Sequence, residues 1–248
     1  MNSSRRLMLS MLCPACLLGC GGTGSGIIGQ QDPEIRLFNG VDNEASITVG
    51  FTDVSGNALG TSQSTAYAGT SPSDLIIANT NATPTVQAGG TALFSGGSSL
   101  YRINSQYSLY VGGLPGNYVA IPLNDIAGQG NTVGSLDLRV VHVAARIGSV
   151  DVYIVPASPG GVSGTALFSS LTYGSVSGAQ NASTTVDGNG YTLLAVTGNT
   201  LYEVIVTAHK GTTPIATTTA VLNPQIFYTA VVYDSGSGAG VKILSDRH

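Results

Sequence analysis

The chain is poor in charge and in the residues that build surface helices. Only 9% of its 248 residues are charged, tryptophan is absent, and no long stretch is rich in glutamate, lysine, leucine or arginine. Surface helices depend on such residues, so their scarcity argues against a helical fold. The formal net charge is −4 and the body shows no basic cluster. These features argue against nucleic acid as a partner.

Cysteine is also scarce, and Cys13, Cys16 and Cys20 all lie within the first 20 residues. The first two have C-x-x-C spacing, as in redox and metal motifs. A redox pair would begin a helix after a strand, and a zinc site would need two further Cys or His ligands at suitable spacing. The three histidines are scattered singly, at His142, His209 and His248. We therefore predict no metal site and no cofactor, and a body without disulfides.

The N-terminal segment has the pattern of a lipoprotein signal peptide. A polar start with Arg5 and Arg6 precedes an apolar run, Leu7–Leu18, which is too short for the ~20 residues of a membrane-spanning helix. The run ends in Leu-Leu-Gly-Cys, which resembles the bacterial lipobox. We predict a signal peptide over residues 1–19, cleavage between Gly19 and Cys20, and acyl chains on Cys20. A plain secretory signal cleaved elsewhere is the alternative.

Residues 20–33 follow as a lipidated cysteine and a flexible tether, because Gly/Ser-rich chain behaves as a coil. Two or more acyl chains anchor a protein stably, whereas one binds only marginally. Gly21 stands where an aspartate commonly retains lipoproteins in the inner membrane of enteric bacteria. In a Gram-negative host this favours the outer membrane, and the pattern does not tell which face of it.

The body after the tether consists of short β-branched and aromatic runs separated by turn residues. Examples are LRVVHVA (Leu138–Ala144), SVDVYIVP (Ser149–Pro156) and YEVIVTAH (Tyr202–His209). Strands that recur every 8–12 residues are typical of a sandwich or barrel. We predict an all-β fold of antiparallel sheets.

Two halves of the body echo one another in the same order. Arg36 precedes Ile47 by eleven positions, as Arg139 precedes Val150. Further echoes are Tyr67 with Tyr173, and two closing segments that end at Asp125 and Asp246. We predict a divergent first β-sandwich module over residues 34–127 and a second over residues 136–248.

The second half resembles a known family. Arg139-Val140-Val141-His142, followed by Val150-Asp151-Val152-Tyr153, is similar to the opening block of the bacterial family called domain of unknown function 4397. The resemblance weakens in the first half, where Asn39 and Thr48-Val49-Gly50 stand instead. It implies immunoglobulin-like β-sandwich modules on secreted or lipid-anchored envelope proteins, and it implies no activity.

Few residues suggest chemistry. His142 and Asp151 would form a cross-strand pair if their strands made a tight hairpin, and a structural hydrogen bond is the more economical interpretation. Asp187-Gly188-Asn189-Gly190 suggests a calcium loop, but a type I′ turn at Asn-Gly explains it better.

Two sets of residues remain. The glycine pairs 89–90, 96–97 and 112–113 fit no phosphate-binding spacing, and we expect loops or bulges there. The eleven tyrosines would line a glycan-binding face if they were exposed. Most lie within strands, where a half-buried aromatic residue is ordinary packing; examples are Tyr107, Tyr153, Tyr191 and Tyr228.

The sequence therefore favours a non-enzymatic, lipid-anchored protein of the bacterial cell envelope. Its leading function is structural or adhesive, through contacts with envelope proteins. The alternative is a β-sandwich that binds glycans or another small ligand. This prediction depends on anchoring and on composition, because a sandwich scaffold hosts many functions.

Overall fold

A computed structural model describes residues 31–72, 74–77, 80–125, 132–157, 162, 164–178, 180–236 and 238–246. The predicted signal peptide, Cys20 and most of the tether lie outside the described residues. In the described part, every regular element is a β-strand. No helix there is long and apolar enough to cross a membrane.

The first module contains nine strands. They are β1 (Glu34–Val41), β2 (Ser46–Thr52), β3 (Ala58–Ala66), β4 (Leu75–Ile76), β5 (Asn81–Ala88), β6 (Thr91–Ser95), β7 (Ser99–Leu100), β8 (Gln106–Leu114) and β9 (Asn117–Asn124). One sheet has the order β4-β1-β8-β9 and the other β3-β2-β5-β6, with β7 paired to β5.

The second module repeats this plan. Its strands are β10 (Ser135–His142), β11 (Val150–Pro156), β12 (Phe168–Leu171), β13 (Ser175–Val176), β14 (Thr192–Ala195), β15 (Thr200–Ala208), β16 (Pro214–Leu222), β17 (Phe227–Ser235) and β18 (Gly238–Ser245). One sheet has the order β13-β10-β17-β18, with β14 paired to β10, and the other β12-β11-β15-β16. The prediction of an all-β fold built from two β-sandwich modules is confirmed.

The sequence predicted antiparallel sheets, but two strand pairs are parallel. β1 runs parallel to β8, and β10 runs parallel to β17. The remaining strand pairs of both modules are antiparallel. In these parallel pairs Arg36 lies opposite Ser108 and Arg139 lies opposite Thr229, so each arginine stands beside a hydroxyl.

Alternation of apolar and polar residues places a core inside each sandwich, since successive side chains of a strand point to opposite faces. Along β2, for example, Ile47, Val49 and Phe51 are buried and the residues between them are not. The strands β1, β8, β10 and β17 differ, because they are buried on both faces. Their sheets are therefore the inner sheets, which pack against each other, and the β2 and β11 sheets are the outer sheets.

An apolar cluster lies between the two inner sheets. It combines residues of both modules: Phe38, Tyr110, Val141, Val143, Val231 and Leu244. Burial of such side chains contributes about 1.5–3 kcal/mol each, so this cluster holds the two modules together.

Candidate functional site

The most elaborate polar arrangement joins the modules through two arginine–aspartate pairs that cross between them. Arg139 Nη2 donates to Asp125 Oδ1 at 2.6 Å, and Arg36 Nη2 donates to Asp246 Oδ1 at 2.9 Å. Each guanidinium also donates through Nη1 to the backbone carbonyl of the residue just before that aspartate, at 2.9 and 2.7 Å. Each module thus supplies the nearer counter-charge of the other, while the arginine and aspartate of the same module lie 3.8 and 3.7 Å apart. We call these four side chains the crossed ion pairs.

Two hydroxyls hold the crossed ion pairs in place. Ser108 and Thr229 occupy equivalent positions on β8 and β17. Each accepts a hydrogen bond from the arginine of its own module, at 2.9 and 2.8 Å, and donates one to the aspartate of its own module, at 2.7 and 2.6 Å. Hydrogen bonds to charged groups contribute more than neutral ones, about 1.5–3 kcal/mol each.

Burial sets the electrostatics of this cluster. The side chains of Arg139, Asp125 and Asp246 are fully buried, whereas that of Arg36 is 12% exposed. Burial raises the pKa of Asp125 to about 6; the nearby Asp246 adds to this rise, and the two guanidiniums oppose it. Burial alone would lower the pKa of Arg139, but the surrounding acidic groups outweigh it and the pKa is raised. Arg139 therefore keeps its charge, because nearby carboxylates favour the protonated guanidinium.

Two tyrosines repeat the same reciprocal pattern. Tyr67 of the first module donates through its hydroxyl to the carbonyl of Asp234, beside the β17–β18 hairpin. Tyr173 of the second donates to the carbonyl of Asn117, beside the β8–β9 hairpin, at 2.5 Å. The echoes Arg36/Arg139, Tyr67/Tyr173 and Asp125/Asp246 are therefore all contacts between modules. Their repetition was visible in the sequence, and their crossed pairing was not.

The hypothesised pair of His142 with Asp151 is wrong. β10 belongs to the inner sheet and β11 to the outer sheet, so their connection is no hairpin. His142 is fully buried; Nε2 lies 3.0 Å from the Gly148 carbonyl, and Nδ1 accepts from Ala144 N at 3.2 Å. Burial lowers the pKa of His142. His142 is therefore a neutral structural residue.

Asp151 instead joins three segments of the outer sheet. Its Oδ1 accepts from Ser169 Oγ at 3.0 Å, Ser170 N at 2.8 Å and His209 Nδ1 at 2.8 Å. Its Oδ2 accepts from Lys210 N at 2.9 Å. Burial would raise the pKa of Asp151, but these hydrogen bonds outweigh it and the pKa is lowered.

Serine, histidine and aspartate thus meet at this point, but in an order unlike that of a hydrolytic triad. In a triad the imidazole lies between the carboxylate and the hydroxyl, from which it removes a proton. Here Ser169 and His209 both donate to the same oxygen of Asp151. The arrangement ties β12 and the β15–β16 turn to β11.

The Asp187–Gly190 segment is a turn, although not of the predicted type. Gly190 N donates to the Asp187 carbonyl at 3.2 Å, and of these residues only Gly190 has a positive φ, of 86°. This is a type I turn followed by a left-handed glycine. Asp187 Oδ1 accepts from Asn189 N within the turn at 2.9 Å and from Tyr191 N just after it at 2.8 Å. Among the described residues no group of three or more His, Cys, Asp or Glu could hold a metal ion.

The glycine pairs have different roles. Gly89 and Gly90 form a two-residue hairpin between β5 and β6, and both have positive φ, as in a type I′ turn. Gly112 lies within β8, where it faces the second module. An added Cβ there would lie 2.6 Å from the Val143 Cβ, so only glycine allows this close approach. Loops or bulges were predicted for all three pairs. Gly96 and Gly97 lie in the loop between β6 and β7, whereas Gly112 and Gly113 lie in regular register within β8, where the prediction was wrong.

The tyrosine row expected for glycan binding is not formed, because Tyr107, Tyr191 and Tyr228 are buried. Tyr153 is half-buried and lines a cleft of about 450 Å³ on the second module's outer sheet.

Neither a family profile nor a curated protein matches the chain. Solved structures give distant similarities. One is a candidate cell adhesion protein from Bacteroides fragilis, at 10% identity, covering 84% of this chain and 86% of that one with a TM-score of 0.27. A family 26 carbohydrate-binding module from Eubacterium rectale, solved with maltoheptaose, is 9% identical, with 88% and 98% covered and a TM-score of 0.26. Family 41 carbohydrate-binding modules from streptococcal virulence factors are 11% identical, with 85% and 96% covered and a TM-score of 0.27. Likeness at such low scores supports no inference about this chain.

Proposed function

We propose that this protein is a non-enzymatic lipoprotein of the bacterial cell envelope with a structural or adhesive role, anchored through acyl chains on Cys20. The supporting observation is the interface between the modules. The crossed ion pairs and the apolar cluster between the inner sheets make one body of two modules, and that body uses one face of each module internally. The outer sheets and the loops remain for partners.

The anchor is tested by Cys20→Ser in the native host. We expect this variant to lose acyl labelling and membrane association, because only the lipidated cysteine would hold the mature chain. Cys13→Ser and Cys16→Ser are matched controls, since both residues lie in the segment that would be removed, and they should fractionate like the native protein. If Cys20→Ser stays with the membrane, the anchor proposal fails. Density-gradient separation of the two membranes tests the outer-membrane location.

The adhesive role is tested by photo-crosslinking in intact cells. A crosslinking residue at Thr61 or Thr217, both exposed on outer sheets, should yield reproducible adducts with envelope components. The same residue at Tyr110, buried between the modules, should yield only crosslinks within the chain. If Thr61 and Thr217 give no intermolecular adduct, the adhesive role is wrong.

The non-enzymatic assignment has its own test, since Ser169 is hydrogen-bonded to the aspartate of a histidine–aspartate pair. We expect a fluorophosphonate probe not to label the protein, because no imidazole activates this hydroxyl. Labelling that disappears in Ser169→Ala would instead show a nucleophilic serine.

A second candidate function is the binding of a glycan or other small ligand. The cleft beside Tyr153 favours it, since binding sites are concave and combine apolar or aromatic surface with a few placed polar groups.

A further inference from the structure

The cleft on the second module's outer sheet is formed where β11 and β12 meet the segment that follows β13. Its lining is mostly polar and small. Tyr153, Thr165, Ser169, Gln180, Asn181 and Ser183 contribute their side chains, together with Asp151 and three small residues. The volume of about 450 Å³ is that of a small-molecule site.

The cleft offers no free charge. Asp151 is the one charged side chain among its described lining residues, and its two oxygens accept four hydrogen bonds from the protein itself. Oδ1 accepts three of these bonds and Oδ2 accepts one, so most of the acceptor capacity of this carboxylate is used within the protein. The remaining polar groups are hydroxyls and amides. Ser169, Asn181 and Ser183 donate to the protein and retain oxygen atoms that accept hydrogen bonds. Such a lining suits a neutral ligand with many hydroxyl groups.

Tyr153 supplies an apolar surface beside these groups. Tyr153 is partly buried, and among the described residues it packs against no other aromatic ring. An aromatic face binds an apolar surface while its hydroxyl remains able to hydrogen-bond. A sugar ring presents C–H groups on its face and hydroxyls around its edge, which matches this combination.

The wall of the cleft is held in position by the protein. Asn181 Nδ2 donates to the carbonyls of Ser169 and Ser170, both at 3.2 Å, and Ser169 N donates to the Asn181 carbonyl at 2.6 Å. Ser170 has a φ of 56°, a left-handed conformation that persists only when neighbouring contacts impose it. A wall fixed in advance loses little conformational entropy when a ligand binds.

We propose that this cleft binds a neutral saccharide, with Tyr153 under the sugar ring and the hydroxyl and amide groups at its edge. This proposal names the ligand class for the second candidate function and rests on that function. The adhesive role does not depend on the saccharide site. In the described part of the first module, Gly50 stands at the position of Tyr153. The cleft beside Gly50 is smaller, about 260 Å³, and its lining contains Thr61 and no tyrosine.

The test uses the full-length protein in detergent on an array of neutral oligosaccharides, followed by calorimetric titration of the strongest hit. Thr165→Trp fills the cleft from an exposed position and Tyr153→Ala removes the ring. We expect each to weaken binding at least about tenfold. Thr61→Trp, which fills the first module's cleft in the same way, should leave affinity unchanged. Thermal unfolding verifies that Thr165→Trp remains folded.

Three outcomes would overturn the proposal: no neutral glycan binds, only sulfated or sialylated glycans bind, or Thr61→Trp abolishes binding while Thr165→Trp does not. None of them bears on the anchor, which Cys20→Ser tests separately. Loss of membrane association in that variant with an empty glycan array would leave the lipoprotein proposal standing and remove the saccharide site alone.

Discussion

The two modules share one topology but contribute opposite shapes to their interface. Where Gly112 of the first module meets Val143 of the second, an added Cβ would be 2.6 Å from Val143 Cβ. At the equivalent contact, an added Cβ on Gly40 of the first module would be 3.0 Å from Tyr233 Cβ. Both glycines therefore belong to the first module, and both larger residues belong to the second.

This asymmetry makes the modules complementary to each other and poorly complementary to themselves. A pair of second modules arranged in the same way would place Val143 against Tyr233, and a pair of first modules would leave gaps at Gly40 and Gly112. Overpacking and cavities both destabilise an interface. The polar crossed ion pairs are nearly symmetric, so shape rather than charge distinguishes the correct partner.

The largest loss of stability should come from replacing Arg139, and it should exceed the loss from replacing Arg36, its equivalent in the first module. Arg139→Met leaves two buried carboxylates with one guanidinium, and we expect it to lower the free energy of unfolding by about 3–5 kcal/mol. Arg36→Met should cost less, about 1–2 kcal/mol, because that side chain is 12% exposed. Chemical denaturation measures both, with the exposed Arg102→Met as control. Equal losses from Arg36 and Arg139 would contradict the difference in burial.

A smaller effect tests the shape of the interface. Gly112→Ala places a methyl group against Val143, and overpacking of this kind costs about 1–3 kcal/mol. Gly112 does not have a positive φ, so the cost measures space and not backbone strain. Gly50→Ala is the matched control, because its nearest neighbour would lie 3.6 Å away. If both substitutions are equally tolerated, the close approach of the modules is not real.

The smallest effect concerns Asp137, near the start of β10, and the dependence of stability on pH. Burial and the nearby Asp187 raise the pKa of Asp137 to about 6. The folded state then binds more protons than the unfolded state between about pH 4 and 6, so this group lowers the free energy of unfolding as pH rises through that range. As the pH rises from 4 to 7, the free energy of unfolding of Asp137→Asn should therefore increase by about 1 kcal/mol relative to that of the native protein.

Glu34 occupies the equivalent position in the first module and is only half-buried, so Glu34→Gln serves as the control. Denaturation curves at several pH values give both differences. A stability difference for Asp137→Asn that does not change with pH would show that Asp137 titrates alike in the folded and unfolded chains.

The strands and the duplication could be predicted from the sequence because both depend on residue types and on intervals within short segments of the chain. Runs of β-branched and aromatic residues mark strands such as β10, β11 and β15, and the eleven-residue interval after Arg36 and Arg139 marks the repeat. The crossed pairing could not be predicted, because it depends on which sheets face each other. The His142–Asp151 hypothesis was wrong for the same reason: eight intervening residues suggested a hairpin, but the chain changes sheets there.

The cleft was only partly predictable. A tyrosine on a strand looks the same in sequence whether it is buried or exposed, so Tyr153 could not be distinguished from Tyr107 or Tyr228. What separates them is the neighbouring segment around Asn181, which bonds to β12 and leaves room beside Tyr153. The hydrogen bonds that fix this segment join Asn181 to residues 12 and 11 positions before it.

The crossed ion pairs also have a consequence for the order of events during synthesis. Arg36 and Asp246 are separated by 210 positions, so the first module cannot complete its charge pairing until the second has been made. Until then Arg36 and Asp125 lie on a face of the first module that the second module has not yet buried. Contacts so distant in sequence form slowly. We therefore expect the nascent first module to remain a target for chaperones until the final strand has been made.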